Sequence, residues 1–177
     1  MTSVSIPPVT LVLGGARSGK SAYAERLVEQ QAGQRIYLAT AGAGDEEMAE
    51  RIRRHRERRG EGWRTVEEPL RLVPVLEAEA SGESLILIDC LTLWLSNMMF
   101  ADLNVEYEIE RLVRCLPDLA GPVVFVSNEV GLGIVPENAL ARQFRDHAGR
   151  LNQAVAAAAD AVVFLAAGLP LQLKPQP

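Results

Sequence analysis

Three side chains stand where phosphate chemistry would need them. Lys20 and Ser21 follow a glycine-rich turn, and Asp89 closes an apolar run. The turn is "GGARSGKS", comprising Gly14, Gly15, Ala16, Arg17, Ser18, Gly19, Lys20 and Ser21. It fits G-x-x-x-x-G-K-S/T at every fixed position, the P-loop pattern. Glycines let successive backbone N–H groups turn inward toward phosphate oxygens. Lys20 can reach the outer phosphates as a point charge, and the Ser21 hydroxyl can ligate a magnesium ion. A helix beginning at Lys20 adds the positive end of its dipole. The competing reading is a glycine-rich turn with a chance lysine. The apolar run "VTLVL" before the turn and the helical spacing of Tyr23, Ala24, Leu27 and Val28 after it favour phosphate binding.

Asp89 ends "LILID". A carboxylate there can hold magnesium beside the P-loop hydroxyl, or it can cap the helix that "LTLWLSNMM" forms. With a P-loop present, the metal reading is preferred. "SNEVGLGIVPEN" puts Ser127, Asn128 and Glu129 at the end of another apolar run, where a site would lie. By itself the stretch reads as a strand-to-helix connection, with Pro136 and Glu137 suited to a helix start.

The fourth candidate is His55. Seven of the 16 arginines fall within residues 45–64: Arg51, Arg53, Arg54, Arg56, Arg58, Arg59 and Arg64. Met48 and Ile52 form an apolar stripe, and His55 lies on the same side at i+7 and i+3. One reading is a solvated basic helix with a bystander histidine. The other is a nucleophile: arginines match phosphates geometrically, and their field leaves an imidazole lone pair unprotonated for attack on a nucleotide phosphate. His147 is given no role.

The elements that must position these groups alternate. Apolar runs at 9–13, 35–39, 84–88, 122–127 and 161–166 read as strands buried on both faces. Helical patterns lie at 20–31, 45–59, 69–80, 91–116 in two pieces, and 137–159. The tail "LPLQLK" is compatible with an added edge strand. This order predicts an α/β fold: a three-layer P-loop (RecA-like) domain over 1–177, with a mainly parallel sheet and helices on both faces. Ligands in such sheets sit at the carboxyl ends of the strands.

Composition bounds the rest. With 177 residues, 48% hydrophobic and 23% charged, the chain reads as one ordinary globular domain. A net charge of -5 speaks against general nucleic-acid binding, and so against a RecA-like DNA-processing ATPase. Lys20 and Lys174 are the two lysines, so the guanine-reading N-K-x-D of a Ras-type switch is absent. Cys90 and Cys115 read as reduced core residues of a cytoplasmic protein. The amino-terminal stretch has no basic segment of the signal-peptide kind. "AVAAAADAVVFLAAGLPLQL" is broken by Asp160 and Gly168-Leu169-Pro170, so a helix end and a buried strand explain it better than a membrane span.

The chain resembles the bifunctional adenosylcobinamide kinase / adenosylcobinamide-phosphate guanylyltransferase family of cobalamin biosynthesis. The matching pieces are "GGARSGKS", "YLATA", "EEMAERIRRHRERRGEGWRTVEEP", "LIDCLTLWLSNMMF", "SNEVGLGIVPENALARQFRDHAGRLNQAVAAAAD" and "GLPLQLK", in family order over nearly the whole chain. The resemblance implies phosphorylation of the adenosylcobinamide hydroxyl by ATP or GTP. It then implies transfer of GMP from GTP to adenosylcobinamide phosphate through a guanylylated histidine, with His55 at the matching position. It carries over, as nucleotide contacts, Gly14 to Ser21, Ala39, Thr40, Ala41, Arg56, Glu57, Arg58, Arg59, Glu67 and Asp89. It implies Mg2+ as cofactor and a homotrimer as the assembly. Ala41 stands where a third hydroxyl is often found, Asp89 where some members have glutamate, and Arg54 where many have a basic residue or histidine.

Overall fold

A computed structural model describes residues 6–41, 53 and 59–175. The element order is β1 (Val9–Gly14), α1 (Lys20–Glu29), β2 (Gln34–Ala39), β3 (Trp63–Glu67), α2 (Leu72–Glu79), β4 (Ser84–Asp89), α3 (Leu91–Phe100), α4 (Val105–Cys115), β5 (Val123–Asn128), α5 (Ala139–Ala158), β6 (Ala161–Ala166) and β7 (Leu169–Lys174). A short 3-10 turn, Leu116–Asp118, follows α4. The helical pattern expected over 45–59 lies outside the described residues apart from its two helical positions at Arg53 and Arg59.

All seven strands join one sheet in the order β3-β2-β4-β5-β1-β6-β7. Every pairing is parallel except β6 with β7. The five apolar runs are strands, shifted by one residue at five of their ten ends. Two further strands complete the sheet. The tail becomes β7, a hairpin partner of β6 through a turn at Ala167 and Gly168. The other, β3, went unpredicted. "WRTVE" is mostly polar and lies on an edge, so it lacks the continuous apolar run of a central strand.

Strand side chains alternate between faces, and the two faces are covered differently. Leu11, Ile36, Leu38, Ile86, Ile88, Val123 and Phe125 meet α2, α3, α4 and α5 on one face. Val12, Tyr37, Leu85, Leu87, Val124 and Val126 meet Ala24 and Val28 of α1 on the other. Among the described residues no helix is long and apolar enough to cross a membrane. The apolar carboxyl-terminal stretch is the end of α5 and the buried strand β6.

Local signals set the helix ends. In α4, Val105, Ile109, Leu112 and Cys115 make the buried stripe. Its N-cap Asn104 accepts from Tyr107 N–H at 3.0 Å, Glu106 and Glu108 occupy the first turn, and Arg114 the last. The last helix starts at Ala139 rather than Glu137. Asn138 is a better cap, its Oδ1 accepting from Ala141 N–H at 3.1 Å.

Both cysteines are free and buried. Burial, reinforced by the Asp89 carboxylate, pushes the Cys90 thiol up to about 11. Burial, reinforced by Glu77, does the same to Cys115, also to about 11. In an unfolded chain a thiol ionises at about 8.5. Between these values the unfolded state binds fewer protons, so stability falls as pH rises. The urea midpoint should therefore decline between about pH 9 and about pH 11, and Cys115→Ala should make that decline shallower. A midpoint constant across this window would contradict the shifted thiols.

Candidate functional site

Five strands end near one another, β2, β3 and β4 at one level and β1 and β5 two residues beyond. Their last residues are Gly14 (β1), Ala39 (β2), Glu67 (β3), Asp89 (β4) and Asn128 (β5). Parallel register pairs Gly14 with Asn128, Ala39 with Asp89, and Ala39 with Glu67. Asp89 pairs with Val126, two residues before Asn128. Register partners on adjacent strands face the same way, as do residues two apart on one strand. All five residues therefore look toward the α1 face, where Lys20 and Ser21 open that helix.

The P-loop geometry shows which glycines are required. A Cβ on Gly14 would sit 2.4 Å from Ser18 Oγ and 2.7 Å from the Leu165 carbonyl oxygen. Gly19 has φ 93°, the left-handed region that favours glycine, and is the residue before α1. Gly15 has open space around it and no such φ. The loop is tied to the far hairpin, since Gly168 N–H donates to the Ser18 carbonyl at 2.9 Å. The Ser18 hydroxyl is buried without a partner. Lys20 is 8% exposed, and its Nζ donates to the Gly15 carbonyl at 3.0 Å across the loop. Arg17 and Ala16 stand exposed at the rim, and Ser21 is half-buried.

Asp89 does not cap the following helix. The N-cap of α3 is Cys90, and no side chain caps it. Burial, reinforced by the nearby Asp89 carboxylate, pushes the Tyr37 pKa upward. The face of Tyr37 carries Arg59, whose guanidinium carbon lies 3.3 Å from the ring centroid. Arg59 is 5% exposed, and its NH1 has no hydrogen-bond partner. An unpartnered guanidinium nitrogen at the strand ends is a ready donor to a phosphate.

Ala39 is buried, while Ala41 is half-buried and Glu67 exposed at the rim. Thr40 is fully buried, and its hydroxyl is committed to the Cys90 backbone. It donates to the Cys90 carbonyl at 2.7 Å and accepts from Cys90 N–H at 2.9 Å. Its evident work is to fasten the end of β2 to the Asp89-Cys90 junction. His55, Arg56, Glu57 and Arg58 lie outside the described residues, so the geometry on hand concerns the P-loop, Asp89 and Arg59.

Sequence reasoning overlooked Tyr37 and a polar group beneath Asn128. That group is Thr92, Ser127 and Asn152, all buried within an otherwise apolar core. Ser127 and Asn128 were visible as polar residues at a strand end, but Thr92 and Asn152 sit inside helical patterns that gave no signal. Among the described residues no three His, Cys, Asp or Glu side chains come together as a metal cluster. A magnesium ion suits this donor set, because it binds through one or two protein oxygens, water and phosphate oxygens. Ser21 and Asp89 are the residues that would hold it.

Fold and site together define a P-loop nucleotide-binding α/β protein. Solved structures share the fold at low identity. The flagellar accessory protein FlaH from Methanocaldococcus jannaschii is 15% identical at a TM-score of 0.54, covering 96% of this chain and 80% of that one. A prototypical ATPase from the type III secretion system of pathogenic bacteria is 10% identical at a TM-score of 0.57, covering 93% and 56%. The chain belongs to the cobinamide kinase / cobinamide phosphate guanyltransferase family, whose model matches residues 10–173. It is thus a bifunctional enzyme of that family. It is 50% identical to the bifunctional adenosylcobalamin biosynthesis protein CobP of Pseudomonas aeruginosa, over 94% of this chain and 98% of that protein. It is 40% identical to the bifunctional adenosylcobalamin biosynthesis protein CobU of Escherichia coli, over 93% and 98%.

The glycine geometry makes a direct prediction. Without nucleotide, Gly14→Ala should cost about 1–3 kcal/mol, because both the Ser18 side chain and the Leu165 backbone must shift. Gly15→Ala should stay within about 0.5 kcal/mol. Thermal midpoints of the two variants check this, and equal losses would contradict the crowding at Gly14.

Proposed function

We propose that the protein phosphorylates the hydroxyl of adenosylcobinamide with ATP or GTP at the P-loop. It then transfers GMP from GTP to adenosylcobinamide phosphate through a guanylylated His55. The supporting observation is that pairing and alternation turn Gly14, Ala39, Glu67, Asp89 and Asn128 to the α1 face. It puts the carboxylate and the phosphate-binding loop on one side of one sheet edge, which phosphoryl transfer requires.

In the kinase step the loop from Gly14 to Ser21 wraps the phosphates. Lys20, drawn back on Gly15 here, swings to the outer phosphates and stabilises charge that builds in the transition state. Magnesium, held by Ser21 and Asp89, screens the phosphate charge when bound. In the second step the His55 imidazole attacks the α-phosphate of GTP, a nitrogen–phosphorus bond forms and pyrophosphate leaves. The phosphate of adenosylcobinamide phosphate then displaces the histidine and gives adenosylcobinamide-GDP. Arg56, Glu57, Arg58, Arg59, Glu67 and the Ala39–Ala41 backbone contact the nucleotide in this reading. The buried Arg59, whose NH1 has no hydrogen-bond partner, supports it.

The assembly in this reading is a homotrimer of a cytoplasmic enzyme. On β7, Leu169 is 72% exposed, Leu171 59% and Leu173 42%, the first two on one side of the strand. An edge strand with an apolar face is a surface that soluble proteins normally cover. The reduced cysteines agree with a reducing compartment.

Two measurements test the chemistry. Denatured protein should retain label from GTP marked at the α-phosphate and none from GTP marked at the γ-phosphate. The bond should be acid-labile and base-stable, and His55→Ala should lose it together with guanylyl transfer. A persistent GMP adduct in that variant would remove His55 from the role. Asp89→Asn should raise the magnesium concentration needed for half-maximal kinase activity by about tenfold, with the thermal midpoint nearly unchanged. An unchanged magnesium midpoint would rule out Asp89 as a ligand.

A further inference from the structure

Beneath the site runs a closed hydrogen-bond circuit that the reading above leaves unused. Asn152 Nδ2 donates to the Asn128 backbone carbonyl at 3.1 Å. Ser127 Oγ donates to Asn152 Oδ1 at 2.6 Å. Thr92 Oγ1 lies 3.4 Å from Ser127 Oγ. Asn128 reaches Thr92 Oγ1 twice, from its backbone N–H at 2.8 Å and from Nδ2 at 3.1 Å.

The direction of this circuit is fixed from one end. A backbone carbonyl only accepts, so Asn152 must present Nδ2 to Asn128 and Oδ1 to Ser127. The Ser127 proton is thereby used, and its oxygen is left to accept from the Thr92 hydroxyl. The Thr92 oxygen then accepts from both Asn128 donors. The outcome is one amide orientation: Asn128 turns Nδ2 toward Thr92 and leaves Oδ1 without a donor among the described residues. Buried polar groups are costly unless the network is complete, and this one is complete except at that oxygen.

The position of Asn128 gives the free oxygen its meaning. It is the last residue of β5, the strand between β1 with the P-loop and β4 with Asp89. It is the register partner of Gly14, and Glu129 N–H donates to the Gly14 carbonyl at 3.0 Å. It faces the α1 side with Asp89 and is half-buried at the mouth of the site.

We propose that Asn128 is a catalytic residue of the kinase step, its Oδ1 accepting a hydrogen bond from the attacking alcohol and aiming that oxygen at the γ-phosphorus. The inference rests on the P-loop being the kinase site. In the step, the alcohol oxygen forms a bond to the γ-phosphorus. The bond from that phosphorus to the bridging oxygen breaks, and its electron pair leaves with the nucleoside diphosphate. The hydroxyl proton is released to solvent. An amide cannot take up that proton, but a loose phosphoryl-transfer transition state needs alignment more than it needs a base. Thr92 acts through Asn128 as a positioning residue.

The test measures the kinase kcat, the nucleotide Kd and the rate of GMP transfer to supplied adenosylcobinamide phosphate, which bypasses the alcohol. Asn128→Ala should lower the kinase kcat by about 10²-fold, with nucleotide Kd within about twofold. GMP transfer should fall far less than the kinase step. Thr92→Val frees the amide to rotate and should lower kinase kcat by about tenfold, while Thr92→Ser keeps the hydroxyl and should restore it. Wild-type kinase turnover in Asn128→Ala would overturn the proposal. So would equal losses in both reactions, or a loss that appears only as weaker nucleotide binding, since either would mean a structural or phosphate-holding role. Lys20→Ala run in parallel separates the two levels. If it abolishes the kinase step while Asn128→Ala does not, the Asn128 role alone fails. If Lys20→Ala keeps full turnover, the P-loop reading fails and takes this inference with it.

Discussion

The site depends on one constraint, the alternation of side chains along parallel strands held in register. A pleated strand sends successive residues to opposite faces, and a parallel partner repeats the choice at the same level. Slipping any of the central strands by one residue would turn Asp89 or Asn128 toward the four-helix side. The apolar residues upstream prevent that slip. Ile86 and Ile88 are buried under the helices of one face, and Leu85 and Leu87 on the other. Because both faces are buried, every residue of the strand pins the register, and the polar residue at its end is aimed by the packing below it.

The two faces then take different work. The four-helix face is a dense apolar core around Trp94, Phe125, Leu91 and Leu95, all fully buried. The α1 face carries the charged and polar groups: Lys20, Glu25, Tyr37, Arg59 and Asp89. Tyr37 stands near two of them, its hydroxyl held protonated by burial and the Asp89 charge and its ring offered to Arg59. One buried ring thus sits near both the carboxylate proposed for magnesium and Arg59.

Polar residues enter the apolar core at the sheet's carboxyl end, beside the site. Thr92, Ser127 and Asn152 satisfy one another there, and Thr40 secures Cys90 through a pair of short hydrogen bonds. Nearby, Asn97 Nδ2 ties the Thr40 carbonyl to that of Pro69. A polar network of this kind fixes orientation in a way that interchangeable aliphatic contacts do not. It is concentrated where strand ends must hold a defined geometry.

The sequence by itself determined the local features. A run of β-branched and leucine residues makes a buried strand wherever it pairs. The glycine spacing around Lys20 makes a phosphate loop with little help from the rest of the chain, and the motifs named the family. Even so, local rules treated Gly14 and Gly15 alike. They passed over "WRTVE" because an edge strand needs no apolar run. Only the tertiary structure separated these cases, because each depends on what comes from elsewhere in the chain. Gly14 is crowded by the Leu165 carbonyl from a neighbouring strand, and Gly15 by nothing. The Thr40 hydroxyl is occupied by the backbone of Cys90, 50 residues away. The orientation of Asn128 is set by a threonine on one helix and an asparagine on another. Such directions belong to a three-dimensional circuit of donors and acceptors, which has no period or spacing along the chain.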